Sequence, residues 1–135
     1  MNLSALVADI DGHQRKIVMS DVRPARAAHG ASGIALERGV TLPFVVSRAW
    51  NAPAGHYSER WYLVEPTTRE VLFEGPEHFA SIWGLQSWTE LSDEVSETIP
   101  LAPGTYLIVF ALGGLQGGQM DVDAVESSEA LGRPA

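Results

Sequence analysis

Three short stretches of the chain carry residue types that could do chemistry. The carboxylates of Asp9 and Asp11 precede Gly12, as at the start of a calcium-binding loop, but the later ligands of such a loop are missing. Ser32 lies among small residues in GASG and lacks the strand, turn and helix that expose a nucleophilic serine. The glycine-rich stretch 113–118 is followed by no Lys, Ser or Thr that would make it a phosphate-binding loop. We therefore predict no catalytic residue, no cofactor and no enzymatic activity.

Among the four histidines, His56 has the most suggestive neighbours. The stretch PAGHYSERWYLVE resembles a degraded first motif of the cupins, in which two histidines and a glutamate on adjacent strands hold a metal. In this sequence Ser58 stands at the second histidine position, Glu59 comes too early and Glu65 comes too late. One histidine with misplaced acids does not complete a three-ligand site. A cupin-like metal site is therefore a distant alternative, and we predict no bound metal.

A cluster of aromatic residues in the middle of the chain suggests a different kind of site. His78, Phe79, Trp83 and Trp88 could form a platform on which a small ligand or a sugar ring stacks. The stretch 76–84 is compatible with one helical turn, which would bury Trp83, and equally with a strand. A small-ligand or carbohydrate-binding module is the alternative prediction of function.

The elements that must position these residues are predicted to be short strands. Apolar runs are separated by Gly- and Pro-containing turns at the spacing of a β-sandwich or barrel. We predict a single domain over 1–126 and a frayed tail over 127–135. The domain divides into an N-terminal hairpin at 1–22 that turns at Asp11-Gly12, a connection at 23–39 and a sandwich core at 40–126.

The motif LAPGTY, which ends at Tyr106, resembles the tyrosine corner of immunoglobulin-like and fibronectin-type β-sandwiches. Trp61 stands where such domains often bury a tryptophan on the third core strand. The resemblance covers 40–126 at the level of the superfamily. It implies an all-β, immunoglobulin-like antiparallel sandwich to which the N-terminal hairpin has been added. The chain departs from antibody domains because it has no cysteine.

The strand that follows Tyr106 is apolar on both faces, although a strand with one wet face should alternate. If Tyr106, Ile108 and Phe110 point into the sandwich, their neighbours in sequence point outwards. The outer face is then predicted to carry four apolar residues from two adjacent strands, namely Tyr62, Val64, Leu107 and Val109. An open patch of this kind is unusual on a monomer. We predict that it is covered by the N-terminal hairpin, by a second copy or by another protein.

The composition limits the partners of the chain. A formal net charge of −8 argues against nucleic acid and anionic membranes. The absence of a signal peptide and of a long apolar run predicts a cytoplasmic protein. We therefore predict a non-catalytic protein–protein interaction module or structural accessory subunit, which uses its outer sheet face to bind a protein partner or to self-associate as a homodimer or larger assembly.

Overall fold

The apolar runs of the sequence form strands of two β-sheets. The computed structural model describes residues 7–8, 16–26, 31–84 and 87–127. The strands are β1 (Val7–Ala8), β2 (Lys16–Pro24), β3 (Ile34–Glu37), β4 (Val40–Thr41), β5 (Phe44–Asn51), β6 (Gly55–Val64), β7 (Val71–Glu74), β8 (His78–Ile82), β9 (Thr89–Val95), β10 (Gly104–Leu112) and β11 (Leu115–Glu126). The predicted all-β class is confirmed for the described residues.

The larger sheet has the strand order β4-β3-β11-β10-β6-β7, with β1 beside β11 and β8 beside β6. It is mixed, because β1 and β3 run parallel to β11, whereas β6, β10 and β11 pair antiparallel. The smaller sheet is antiparallel and has the order β2-β5-β9. Since β7 pairs with the end of β6 and β8 with its beginning, these two strands follow one another along β6. The wholly antiparallel arrangement that the sequence predicted is therefore wrong for the larger sheet, which also curls into a half-barrel.

Within the described residues, the two strands of the N-terminal hairpin predicted at 1–22 do not pair with each other. They hydrogen-bond to different sheets, β1 to β11 and β2 to β5. The predicted turn at Asp11-Gly12 lies outside the described residues. The predicted connection at 23–39 also contains a strand, because β3 pairs with β11. Of the predicted tail, only Ser127 lies within the described residues.

The inner faces of the two sheets enclose the main core. Its largest fully buried side chains are apolar residues from both sheets: Val22, Ile34, Leu36, Phe44, Trp50, Trp61, Leu63, Ile108, Phe110 and Leu112. Tyr106 lies at the edge of this core, and its hydroxyl donates a 2.7 Å hydrogen bond to the carbonyl oxygen of Ala102. That bond supplies the acceptor that a partly buried phenol needs.

The outer face of β6 and β10 carries a second buried cluster, the outer cluster, formed by Tyr62, Val64, Leu107, Val109 and Ala111. The register pairs Val109 with Tyr62 and Leu107 with Val64. The alternation read from the sequence therefore placed the side chains on the correct faces. Val109 is 0% exposed and Leu107 is 7% exposed in the single chain. Both faces of β10 are dry, and burial raises the pKa of the Tyr62 hydroxyl.

In the described part of the chain there is no helix with the length and apolar composition that crossing a bilayer requires.

Candidate functional site

Among the described residues, the most exposed large apolar side chains belong to β8 and the residue after it. Phe79 is 82% exposed and Trp83 is 81% exposed. The stretch is a strand and not a helical turn, so side chains alternate between the two faces. Ala80 and Ile82 are buried, while Phe79, Ser81 and Trp83 face the solvent. A helix would have buried Trp83, and the strand exposes it. We call Phe79 and Trp83 the aromatic row.

Polar pairs between β6 and residues 77–82 lie beside the aromatic row. The register sets Ser58 opposite Phe79 and His56 opposite Ser81. The Ser58 hydroxyl donates to Glu77 Oε2 at 2.7 Å, and His56 Nδ1 lies 3.0 Å from Ser81 Oγ. The exposed rings are therefore bordered by hydroxyl, imidazole and carboxylate groups, which can both donate and accept hydrogen bonds.

The structure divides the four residues predicted to form a platform. Phe79 and Trp83 lie on the outer face of β8, whereas His78 points towards the interior and its side chain is 33% exposed. Trp88 immediately precedes β9 and is 50% exposed. The exposed part of the predicted platform is thus the aromatic row, and His78 belongs to a different set of contacts.

Beneath β8, four strands contribute a buried polar cluster, formed by Arg48 of β5, Glu59 of β6, His78 of β8 and Asp93 of β9. The side chains of Arg48 and Glu59 are 0% exposed. Their contact is bidentate: Arg48 Nε donates to Glu59 Oε2 at 2.7 Å and Nη2 donates to Oε1 at 2.6 Å. Arg48 Nη1 also lies 2.9 Å from Asp93 Oδ2. One guanidinium therefore holds two carboxylates, which is the geometry that planar Arg favours.

The two core tryptophans complete the bonding of these carboxylates. Trp50 Nε1 donates to Glu59 Oε2 at 2.8 Å, and Trp61 Nε1 donates to Asp93 Oδ2 at 2.9 Å. His78 Nε2 lies 2.7 Å from Asp93 Oδ1, and since an ionised carboxylate can only accept, Nε2 is the protonated nitrogen. Each carboxylate oxygen of the polar cluster has a donor.

These contacts shift the pKa values of two members of the polar cluster, Asp93 and Arg48. Burial alone would raise the pKa of Asp93, but the Trp61 hydrogen bond, the Arg48 charge and His78 outweigh it and hold the pKa below its ordinary value. Burial alone would lower the pKa of Arg48, but the hydrogen bond and charge of Glu59, with Asp93, hold it above its ordinary value. Both groups are ionised across the physiological range, so the polar cluster is a charged network inside the sandwich.

The sequence analysis missed the polar cluster, although one signal was available. Arg48 lies between Val46 and Trp50 on the same face of β5, and Glu59 shares the inner face of β6 with Trp61. Charged residues in phase with buried aromatic residues indicate buried charge.

The residues considered for a cupin-like metal site are separated by the same alternation. His56 and Ser58 point outwards from β6, whereas Glu59 points into the core. Glu65 follows the strand and accepts a hydrogen bond from the backbone N–H of Thr68. Within residues 7–8, 16–26, 31–84 and 87–127, no three His, Asp or Glu side chains come together as metal ligands.

A groove lies on the outer face of the smaller sheet and is another candidate site. This groove of about 530 Å³ is lined by residues of all three strands, including Met19, Asp21, Ser47, Ala49 and Ser92. Several of its polar groups bond to one another or to their neighbours: Arg23 lies 3.3 Å from both Asp21 and Ser47, and Ser47 lies 3.2 Å from Ser92. The aromatic row, whose rings face water, is the stronger candidate site.

Comparison with known proteins finds a structural resemblance but no matching family. No family model matches the chain, and no curated protein does. A solved structure that resembles it is a Pseudomonas fluorescens alkylpurine DNA glycosylase, AlkC, bound to DNA containing an abasic site analog. The two share 14% sequence identity with a TM-score of 0.49, over 84% of this chain and 31% of the glycosylase chain. At this similarity the activity of that enzyme does not extend to this chain.

Two predictions from the sequence are wrong in the light of these findings. The predicted protein–protein interaction module and the predicted absence of a nucleic-acid partner are contradicted by the finding that the similar solved structure is bound to DNA. The reasoning behind both was incomplete. The outer cluster is buried within the single chain, so it offers no open face to a partner or a second copy. A net charge of −8 describes the whole chain and not the local charge that a ligand meets.

Proposed function

We propose that the aromatic row binds an uncharged oligosaccharide, whose sugar rings stack on Phe79 and Trp83. The observation that carries this proposal is that both rings keep more than 80% of their surface in water. Large aromatic side chains each bury roughly 150–250 Å² when they are covered, which is the main source of binding energy available at this surface. The exposure of two such rings on one strand face is typical of recognition and not of folding.

The spacing of the two rings indicates the size of the ligand. Phe79 and Trp83 are four residues apart along an extended chain, so their Cα atoms lie about 13 Å apart. A single sugar ring cannot cover both side chains at this distance. The proposal is therefore specific for a chain of several sugar units, and a monosaccharide should bind much more weakly.

The groups that border the aromatic row favour a neutral, hydroxyl-rich ligand. Ser58, Ser81 and His56 can exchange hydrogen bonds with hydroxyl groups in either direction. The carboxylate of Glu77 lies among them and would repel a phosphate. On the same face of β6, the guanidinium of Arg60 donates to the carbonyl oxygen of Gly75. The border of the aromatic row thus offers hydrogen-bonding groups that suit the hydroxyl groups of a sugar.

The test is a titration with neutral oligosaccharides of increasing length, followed by calorimetry and tryptophan fluorescence. We expect affinity to rise with chain length and to fall about five- to 150-fold in Phe79→Ala and in Trp83→Ala, if a sugar ring gains about the 1–3 kcal/mol that a base gains by stacking on an aromatic ring. Leu72→Ala is the matched control, because Leu72 is also exposed but lies on β7. Absence of binding to every oligosaccharide would overturn the proposal. Binding of single-stranded DNA that both aromatic substitutions abolish would overturn it too and assign the aromatic row to nucleic acid.

We also infer that the fold is a variant of the immunoglobulin-like sandwich. Three observations support this inference: the hydrogen bond from Tyr106 to Ala102, the burial of Trp61 on β6, and the sheet order β11-β10-β6-β7 opposite β2-β5-β9. The curled larger sheet is a departure from such domains. A non-catalytic role and a cytoplasmic location are part of the same proposal.

A further inference from the structure

We propose that His78 is a positioning residue for the aromatic row, because it ties β8 to the opposite sheet. The inference rests on the proposed function. The backbone of β8 pairs with β6 in the larger sheet, whereas Asp93 belongs to β9 in the smaller sheet. The 2.7 Å contact between His78 Nε2 and Asp93 Oδ1 therefore crosses the sandwich. His78 immediately precedes Phe79, so this tie is made one residue from the first ring of the aromatic row.

The acceptor of this bond is held in place by other strands. Asp93 Oδ2 receives Trp61 Nε1 of β6 at 2.9 Å and lies 2.9 Å from Arg48 Nη1 of β5. Arg48 is in turn held by its bidentate contact with Glu59. A hydrogen bond to a charged, immobile acceptor is stronger than one to a neutral or mobile acceptor. His78 thus anchors β8 to a rigid point.

The other inward side chains of β8 provide a weaker attachment. Ala80 is buried but has only a methyl group to pack, and Ile82 lies at the far end of the strand. At the beginning of β8 the inward contact is made by His78. Loss of this contact should let the start of β8 move relative to the interior, and Phe79 would move with it. Stacking on both rings needs their separation and orientation to be held.

The experiment compares His78→Leu with His78→Gln. Leu fills a similar volume without a donor, whereas the Gln side-chain amide can place an N–H near the position of His78 Nε2. We expect His78→Leu to bind the oligosaccharide about tenfold more weakly, because Phe79 is no longer held in the stacking geometry, and His78→Gln to bind within about twofold of the wild type. Amide hydrogen exchange of β8, measured without ligand, should become faster in His78→Leu and stay near the wild-type rate in His78→Gln.

Val95→Ala on β9 is the control for a general loss of stability. Val95 is a buried residue of the apolar core and is not a member of the polar cluster that anchors β8. If Val95→Ala weakens binding as much as His78→Leu at equal loss of stability, the positioning role is wrong. Unchanged exchange in β8 of His78→Leu would overturn it as well. The exchange measurement needs no ligand, so a wild-type protein that binds no sugar while His78→Leu loosens β8 would refute the proposed function and leave the anchor in place.

Discussion

The two faces of β8 lead to two regions of opposite character. On the inner face, His78 joins a polar cluster in which Arg48 and Glu59 are completely buried. On the outer face, Phe79 and Trp83 are more than 80% exposed. Globular proteins ordinarily place charges outside and large aromatic residues inside, so both regions depart from the usual distribution in opposite directions.

The comparison shows that burial alone does not distinguish a structural group from a site. In the polar cluster, each charge has a partner within the chain: Arg48 bonds Glu59 and Asp93, and the core indoles donate to the same carboxylates. These hydrogen bonds and ion pairs join the four strands β5, β6, β8 and β9. The aromatic row leaves most of its apolar surface in contact with water. Charged groups that are paired inside the chain stabilise the fold. Apolar rings that remain exposed to water are available for a ligand.

The largest expected effect is the removal of the cation at the centre of the polar cluster. Arg48→Met keeps most of the side-chain length but leaves the Glu59 carboxylate buried without a cationic partner. We expect a loss of about 3–5 kcal/mol in the free energy of unfolding, the usual cost of breaking a buried ion pair on one side. Urea denaturation monitored by circular dichroism measures this loss.

The double variant Arg48→Met/Glu59→Leu serves as the control for this prediction. It removes the unpaired carboxylate as well as the cation, and buried ion pairs can often be replaced by apolar residues at little cost. We expect it to regain more than half of the lost stability. A double variant that is no more stable than Arg48→Met would contradict the account of the polar cluster as a paired charge network.

A smaller effect is expected when matched tryptophans of the two regions are changed. Trp61→Phe removes the N–H that bonds Asp93 and should cost about 1–3 kcal/mol, because a buried carboxylate oxygen loses a donor. Trp83→Phe removes the same N–H from an exposed ring and should change stability by less than about 0.5 kcal/mol. Thermal and urea unfolding of both variants give the comparison. Equal losses in the two variants would mean that the aromatic row is structural.

Much of this molecule could be predicted from local sequence pattern. The run of apolar residues in β10 correctly indicated two dry faces, because the period of a strand is two and both sets of side chains were apolar. A short turn joins β6 to β7, and these two strands pair antiparallel as neighbours in sequence. Phe79 and Trp83 were predicted as candidate ligand-binding residues, but their exposure depended on whether the stretch 76–84 was a helix or a strand.

The remaining features depend on pairing between distant parts of the chain. Arg48 and Asp93 are 45 positions apart, and neither local pattern shows that β5 and β9 are neighbours. The alternation along β5 indicates that Arg48 is buried, but only the pairing of β5 with β9 brings Asp93 to it. The predicted N-terminal hairpin shows the same limit: the Asp11-Gly12 signal is local, whereas the described strands β1 and β2 pair with β11 and β5 and not with each other. A local turn signal does not reveal which distant strand will satisfy the backbone groups of its neighbours.

The smallest effect, and the sharpest test of the comparison, is a change in acid sensitivity. The pKa of Asp93 is depressed in the folded protein, so its stabilising contribution is present above the unfolded pKa of about 3.9 and is lost as pH falls through the folded pKa. Because the Trp61 hydrogen bond is the leading cause of the depression, Trp61→Phe should lose less stability than the wild type between pH 7 and pH 3. Trp83→Phe should lose as much as the wild type, since Trp83 touches no carboxylate of the polar cluster. Urea denaturation at pH 7 and pH 3 measures this loss of unfolding free energy for the wild type and the two variants. If Trp61→Phe loses as much stability as the wild type, Asp93 is not held in its charged form by the core indole.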